Sequence, residues 1–105
     1  MKFNITEESY NIIIRTIKDF PMVDEAIIFG SRAKGNSKKG SDIDIAIKGE
    51  QISQDDVISM SAMLNEELPL PYFFDIIDYK TIKNDSFKQH IDRVGKTIFS
   101  REFDN

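Results

Sequence analysis

The sequence predicts an α/β (α+β) fold, a mixed sheet of about four strands with helices packed mainly on one face. Three observations lead there. Segments of helical and strand periodicity follow one another in the order α-β-(short α)-β-α-β-α-β. One segment, Asp42-Ile43-Asp44-Ile45-Ala46-Ile47, alternates strictly, so its strand has one apolar face and one that carries acids. The length, 105 residues, suits one core and not comfortably two, so residues 1–105 are read as a single domain.

The elements follow in order. Thr6 is an N-cap, with Glu7 and Glu8 in the first turn where the helix dipole favours acid. Tyr10, Ile13, Ile14 and Ile17 then form one buried helical stripe, and Phe20-Pro21 ends the helix, because the residue before proline is pushed out of the α region. Glu25 to Phe29 is an apolar first strand. Ser31 is placed as the cap of a one-turn helix over Arg32 to Lys34 that stops at Gly35. The second strand spans Ser41 to Lys48. Ile43, Ile45 and Ile47 point to one side, and Asp42, Asp44, Ala46 and Lys48 to the other, which is expected to stay open.

Ser53 caps the next helix, with Asp56 completing a weak capping box, and Val57, Met60 and Leu64 supply its buried stripe. Pro69 and Pro71 mark a loop before a strand over Tyr72 to Asp78. Asn84 or Asp85 caps a last helix with Phe87, Ile91 and Val94 inward, and Gly95 is its C′ stop. Lys96 to Phe99 is a short final strand, and Arg101 to Asn105 a frayed tail.

Composition narrows the function. There is no cysteine, which excludes disulfides, thiol catalysis and thiolate zinc sites. His90, the single histidine, falls among charged helix residues and is read as a surface side chain. No apolar run approaches the roughly 20 residues that span a bilayer, and no signal-peptide core is visible, so a cytoplasmic location is the expectation. The net charge of −4 opposes binding to a long nucleic acid. An anion must therefore meet a local basic cluster, and Arg32, Lys34, Lys38 and Lys39 form one.

That cluster lies in the most informative stretch of the chain, Gly30-Ser31-Arg32-Ala33-Lys34-Gly35 followed by Ser41-Asp42-Ile43-Asp44. Asp42 and Asp44 leave the same face of a strand about 6.6–7 Å apart at the backbone. Such a pair can converge on two metal ions, the arrangement used for nucleotidyl transfer, and carboxylates with phosphate oxygens suit Mg2+. Alone, Asp-x-Asp reads as a solvated edge and the turn as an ordinary surface turn; it is their juxtaposition that carries weight. Gly30 lets the backbone approach a phosphate, the Ser31 hydroxyl can donate to it, and Arg32 and Lys34 can neutralise a triphosphate. Ser41, heading the acidic strand, completes the candidate nucleotide-binding set. A P-loop is excluded because Asn36 stands where its lysine belongs, and an EF-hand because Ala46 and Ile47 occupy ligand and glycine positions.

Gly-Ser, ten residues, then Asp-x-Asp resembles the signature of the DNA polymerase β-like nucleotidyltransferase superfamily. Its extent and shortness are similar to the minimal nucleotidyltransferase (MNT) proteins, several of which are antitoxins. The resemblance implies a nucleotidyltransferase fold and a third carboxylate on a later strand. Phe73-Phe74-Asp75-Ile76-Ile77-Asp78 offers two, on opposite faces, and the family pattern selects Asp75, leaving Asp78 as a strand-end turn residue. An acid between Phe74 and Ile76 is costly on a buried strand unless paired or metal-bound. By resemblance, Asp42, Asp44 and Asp75 hold two Mg2+ ions, Asp75 accepts the acceptor's proton, and ATP or another NTP supplies a nucleoside monophosphate. The implied acceptor is a hydroxyl on a HEPN-domain partner protein, making the chain the antitoxin of a toxin–antitoxin pair. Two rivals are an antitoxin that only binds and blocks its toxin, and an antibiotic-modifying nucleotidyltransferase.

Overall fold

The sheet is ordered β3-β2-β1-β4 and is mixed. β1 (Glu25–Phe29) pairs antiparallel with β2 (Ile43–Lys48) and with β4 (Lys96–Ser100), while β2 pairs parallel with β3 (Phe74–Asp78). The structure, a computed structural model, describes residues 2–38 and 40–103. Lys39, part of the basic cluster read from the sequence, and the tail residues 104–105 lie outside the described residues. No helix among the described residues is long and apolar enough to cross a membrane.

Side-chain alternation sorts the core into two layers. On one face, Ala26 and Ile28 of β1, Ile43, Ile45 and Ile47 of β2, and Phe74 and Ile76 of β3 pack against α1 (Glu7–Lys18) and α3 (Gln54–Ala62), through Ile13, Ile17 and Met60. The three isoleucines of β2 are completely buried, each contributing about 1.5–3 kcal/mol of transfer free energy. The other face is not fully open as the alternation suggested. There α4 (Asp85–Val94) lays Ile91, with Phe87 and Val94 beside it, over Ile27, Phe29 and Ala46. Ala46, on the face expected to stay open, is fully buried, its small side chain leaving room for that helix. The helices still lie mainly on one face.

Several boundaries rest on the chemistry expected of them. The Thr6 hydroxyl caps α1 by accepting the Ser9 N–H at 3.2 Å. Ser53 and Asp56 form a full reciprocal capping box, each side chain accepting the other's backbone N–H. Asn84 is the cap of α4. Gly95 ends α4 where expected, with an ordinary φ of −66°. A Cβ there would run into the Ile91 carbonyl and the Ile27 side chain, so the glycine permits close helix–sheet approach. The chain after β4 is also held where fraying was expected. Arg101 donates to the carbonyls of Val23 at 2.9 Å and Phe20 at 3.0 Å, tying the residue after β4 to the turn after α1.

Candidate active site

At one end of the α4-covered face two of the predicted acids, Asp44 and Asp75, are paired across neighbouring strands. In the antiparallel register Phe29 is opposite Asp44, and in the parallel register Asp44 is opposite Asp75. Directly paired residues share a face, so Phe29, Asp44 and Asp75 form one row across three strands. Asp42, two residues before Asp44, lies just ahead of β2, near enough for its charge to act on Asp44. The effect registers in Asp44, whose acidity is weakened first by burial, then by the charges of Asp75 and Asp42, with Arg32 acting the other way. Among the described residues, no hydrogen bond or ion pair neutralises the side chains of these three acids.

Asp75 sits differently from its expectation. β3 is an edge strand and Asp75 is exposed, so the desolvation cost argued for it does not arise. It lines a groove of about 340 Å³ with Val57, Ser61 and Asn65. Asp78 faces the opposite side, as expected of a turn residue. It accepts the Lys80 ammonium at 2.7 Å and the Lys80 backbone N–H at 3.2 Å.

Gly30 is pressed against this acidic row. It precedes α2 (Ser31–Lys34) with φ 76° and ψ −156°, a conformation open essentially to glycine alone. A Cβ on it would collide with the Asp44 carboxylate. Gly30, not Ser31, is the N-cap, so Ser31 is the first helical residue and its hydroxyl makes no hydrogen bond within the described chain. Gly35 closes the turn in the left-handed conformation, as expected. Lys34 is exposed.

Arg32 and Ser41 are employed otherwise than the sequence suggested. Arg32 is 2% exposed. Its Nε donates to the Ser41 carbonyl at 3.1 Å and its Nη2 to the same oxygen at 2.6 Å. Its Nη1 reaches the carbonyls of Phe3 and Asn4, both at 3.1 Å. A cation so occupied has little left for a phosphate, because carbonyl acceptors from distant parts of the chain outcompete solvent for it. The Ser41 hydroxyl accepts the Lys38 N–H at 2.9 Å and closes the preceding turn. Sequence reading missed the reach of Arg32 because its partners are main-chain atoms, which leave no residue-type signal.

Among the described residues, no group of three His, Cys, Asp or Glu is drawn close enough to form a ready metal cage. The donor chemistry nonetheless fits a hard dication: Asp42, Asp44 and Asp75 offer only carboxylate oxygens, unpaired and mutually repelling. Mg2+ is held by one or two carboxylates together with substrate phosphates and water, so it does not require a preformed protein cage.

Comparison with known proteins agrees with this arrangement. Residues 11–104 match the family described as "Polymerase beta, Nucleotidyltransferase". Over 93 residues the chain is 33% identical to "Probable protein adenylyltransferase MntA" of Haemophilus influenzae (strain ATCC 51907 / DSM 11121 / KW20 / Rd), covering 86% of this chain and 79% of that one. Among solved structures, one described as a toxin–antitoxin with AMP-PNP superposes with a TM-score of 0.74 at 24% identity, over 90% of this chain and 76% of that one. A tri-AMPylated Shewanella oneidensis HEPN toxin in complex with MNT antitoxin superposes with a TM-score of 0.69 at 21% identity, over 93% and 75%. At these identities the structural likeness concerns the fold. With the family match spanning nearly the whole sequence and the curated relative agreeing, the chain belongs to the polymerase β-type nucleotidyltransferase family.

Proposed function

We propose that this protein transfers a nucleoside monophosphate, AMP from ATP, to a hydroxyl on a partner protein, a HEPN-domain toxin for which it is the antitoxin. The observation that carries the reading is the row formed by Asp44 and Asp75, with Gly30 against Asp44 at the head of the Gly-Ser turn. The relative named as a protein adenylyltransferase and the neighbour containing an AMPylated toxin support the choice of AMP and of a protein acceptor. The neighbour with AMP-PNP supports a nucleoside triphosphate as donor. Residues 1–105 act in this reading as one nucleotidyltransferase domain.

The chain's own groups divide the work. Gly30 admits the triphosphate close to the backbone, the free Ser31 hydroxyl donates to a phosphate oxygen, and the exposed Lys34 ammonium offsets its charge. Asp75, exposed at the sheet edge and so reachable by a macromolecular acceptor, takes the proton of the attacking hydroxyl. The new bond joins the acceptor oxygen to the α-phosphorus, and the α–β phosphoanhydride bond breaks to release pyrophosphate. Asp42 and Asp44, with Asp75, would hold Mg2+, which when bound supplies charge neutralisation for the phosphates and the leaving group.

The test incubates the protein with α-labelled ATP, Mg2+ and the protein encoded by the neighbouring gene. Label on that protein that disappears in Asp42→Ala and in Asp75→Asn is the expected result. Toxin inhibition that survives both substitutions, with no label transferred, assigns the protein to the rival that only binds and blocks. Labelling of an aminoglycoside without any protein partner would favour the antibiotic-modifying rival.

A further inference from the structure

Arg32 takes no part in the transfer just described, yet it is a buried cation joined to three separate parts of the chain. Its Nη1 holds the carbonyls of Phe3 and Asn4, two non-glycine residues at φ 57° and 60°. Its Nε and Nη2 hold the Ser41 carbonyl, and Nε also lies 3.3 Å from the Asp42 carbonyl. The ring of Tyr72, two residues ahead of β3, lies 5.2 Å from the guanidinium carbon, and the Tyr72 hydroxyl accepts the Thr6 N–H. No carboxylate is ion-paired with Arg32 among the described residues. Burying a full charge on carbonyl dipoles is costly, and an apolar side chain would fill the same space more cheaply if filling were its only task.

The placement of these bonds suggests the task. Asp44 and Asp75 are fixed relative to one another by direct pairing in the sheet. Asp42 lies outside both paired registers of β2; the peptide after it is bonded across, its Ile43 N–H donating to the Phe73 carbonyl at 2.8 Å. The peptide before it, Ser41–Asp42, is held by Arg32, and the same arginine lies against the Tyr72 ring in the segment that leads into β3.

We propose that Arg32 is a positioning residue, its buried guanidinium fixing the Ser41–Asp42 peptide so that the Asp42 carboxylate stands with Asp44 and Asp75. The proposal rests on the reading of Asp42 as a ligand of a divalent cation. Lysine cannot replace arginine here, because a point-charge ammonium cannot span the carbonyls that the planar fork bridges.

The experiment measures Mn2+ binding by electron paramagnetic resonance on the protein alone, without nucleotide, for the parent, Arg32→Lys, Asp42→Ala and the double variant. Thermal melts confirm that each is folded at the assay temperature. Arg32→Lys is expected to weaken Mn2+ binding about 10–100-fold, the range for groups that orient a metal ligand. The double variant should bind no more weakly than Asp42→Ala. In steady-state transfer, kcat should fall while the KM for ATP stays within about threefold. Parental Mn2+ binding in a folded Arg32→Lys overturns the proposal, as does a raised KM for ATP with Mn2+ binding intact, which would make Arg32 a phosphate ligand after all. Should Asp42→Ala bind Mn2+ as the parent does, the ligand reading itself fails, and the proposal with it. If Arg32→Lys does not fold, Tyr72→Leu loosens the guanidinium while leaving its donors in place. Weaker Mn2+ binding in that variant supports the proposal, and unchanged binding overturns it.

Discussion

Replacing Gly30 by alanine strains the protein in two separable ways. The backbone at φ 76°, ψ −156° lies in a region that non-glycine residues enter only at a cost of about 1–3 kcal/mol. The added Cβ also collides with the Asp44 carboxylate, with the Asp44 Cγ at 3.4 Å and Cβ at 3.7 Å leaving little room behind it. Rotating Asp44 off its rotamer adds about 0.5–1.5 kcal/mol. The sum, about 1.5–4.5 kcal/mol, is below the roughly 5–15 kcal/mol stability typical of a domain, so the variant should fold. Gly35→Ala is the control, because its φ of 82° is also left-handed but nothing lies within 4 Å of a Cβ there. Urea unfolding of both variants, with and without Asp44→Ala, isolates the collision. Gly30→Ala should be the more destabilised, and about 0.5–1.5 kcal/mol of the difference should vanish in the Asp44→Ala background. Transfer activity should fall at least about 100-fold in Gly30→Ala and only a few-fold in Gly35→Ala, as a displaced Asp44 implies. Equal destabilisation of the two variants, independent of Asp44, would refute the reasoning.

The remaining predictions concern the acids, the sheet edge and the helix–sheet contact. Asp44 has its carboxyl raised above the ordinary 3.8, so its ionised form costs the folded state stability at neutral pH, and that cost disappears as pH falls through the raised value towards 3.8. Asp44→Asn should therefore be more stable than the parent at pH 7 by a margin that shrinks on acidification, screened in part by solvent at this half-exposed site; a margin independent of pH refutes the assignment. Asn65 covers the outer edge of β3 by accepting the Phe74 N–H at 2.7 Å and donating to the Phe74 carbonyl at 3.1 Å. Asn65→Ala should cost about 1–3 kcal/mol and speed amide exchange at Phe74; parental exchange there would count against this role. Gly95→Ala should cost about 1–3 kcal/mol through overpacking against Ile27, and truncation of Ile27 to alanine should recover part of that loss.

The strands, helices and caps were largely legible because they rest on local chemistry. Thr6, Ser53 and Asn84 cap their helices through bonds to residues three positions on, which spacing alone reveals. The alternation of Asp42 to Ile47 fixed which side chains share a face. Non-local facts were less accessible. That β3 is an edge strand, and Asp75 therefore exposed, depends on strand order. That α4 covers Ala46 depends on which side of the sheet the chain crosses after β3.

By itself the sequence determined the acidic pair, the glycine-headed turn and the family to which they belong, since each is a matter of residue type and spacing. Only the tertiary structure decided what Arg32, Gly95 and Arg101 do. Each acts through contacts with main-chain atoms far along the sequence or across a packed interface, and a carbonyl oxygen has no identity that a sequence can display.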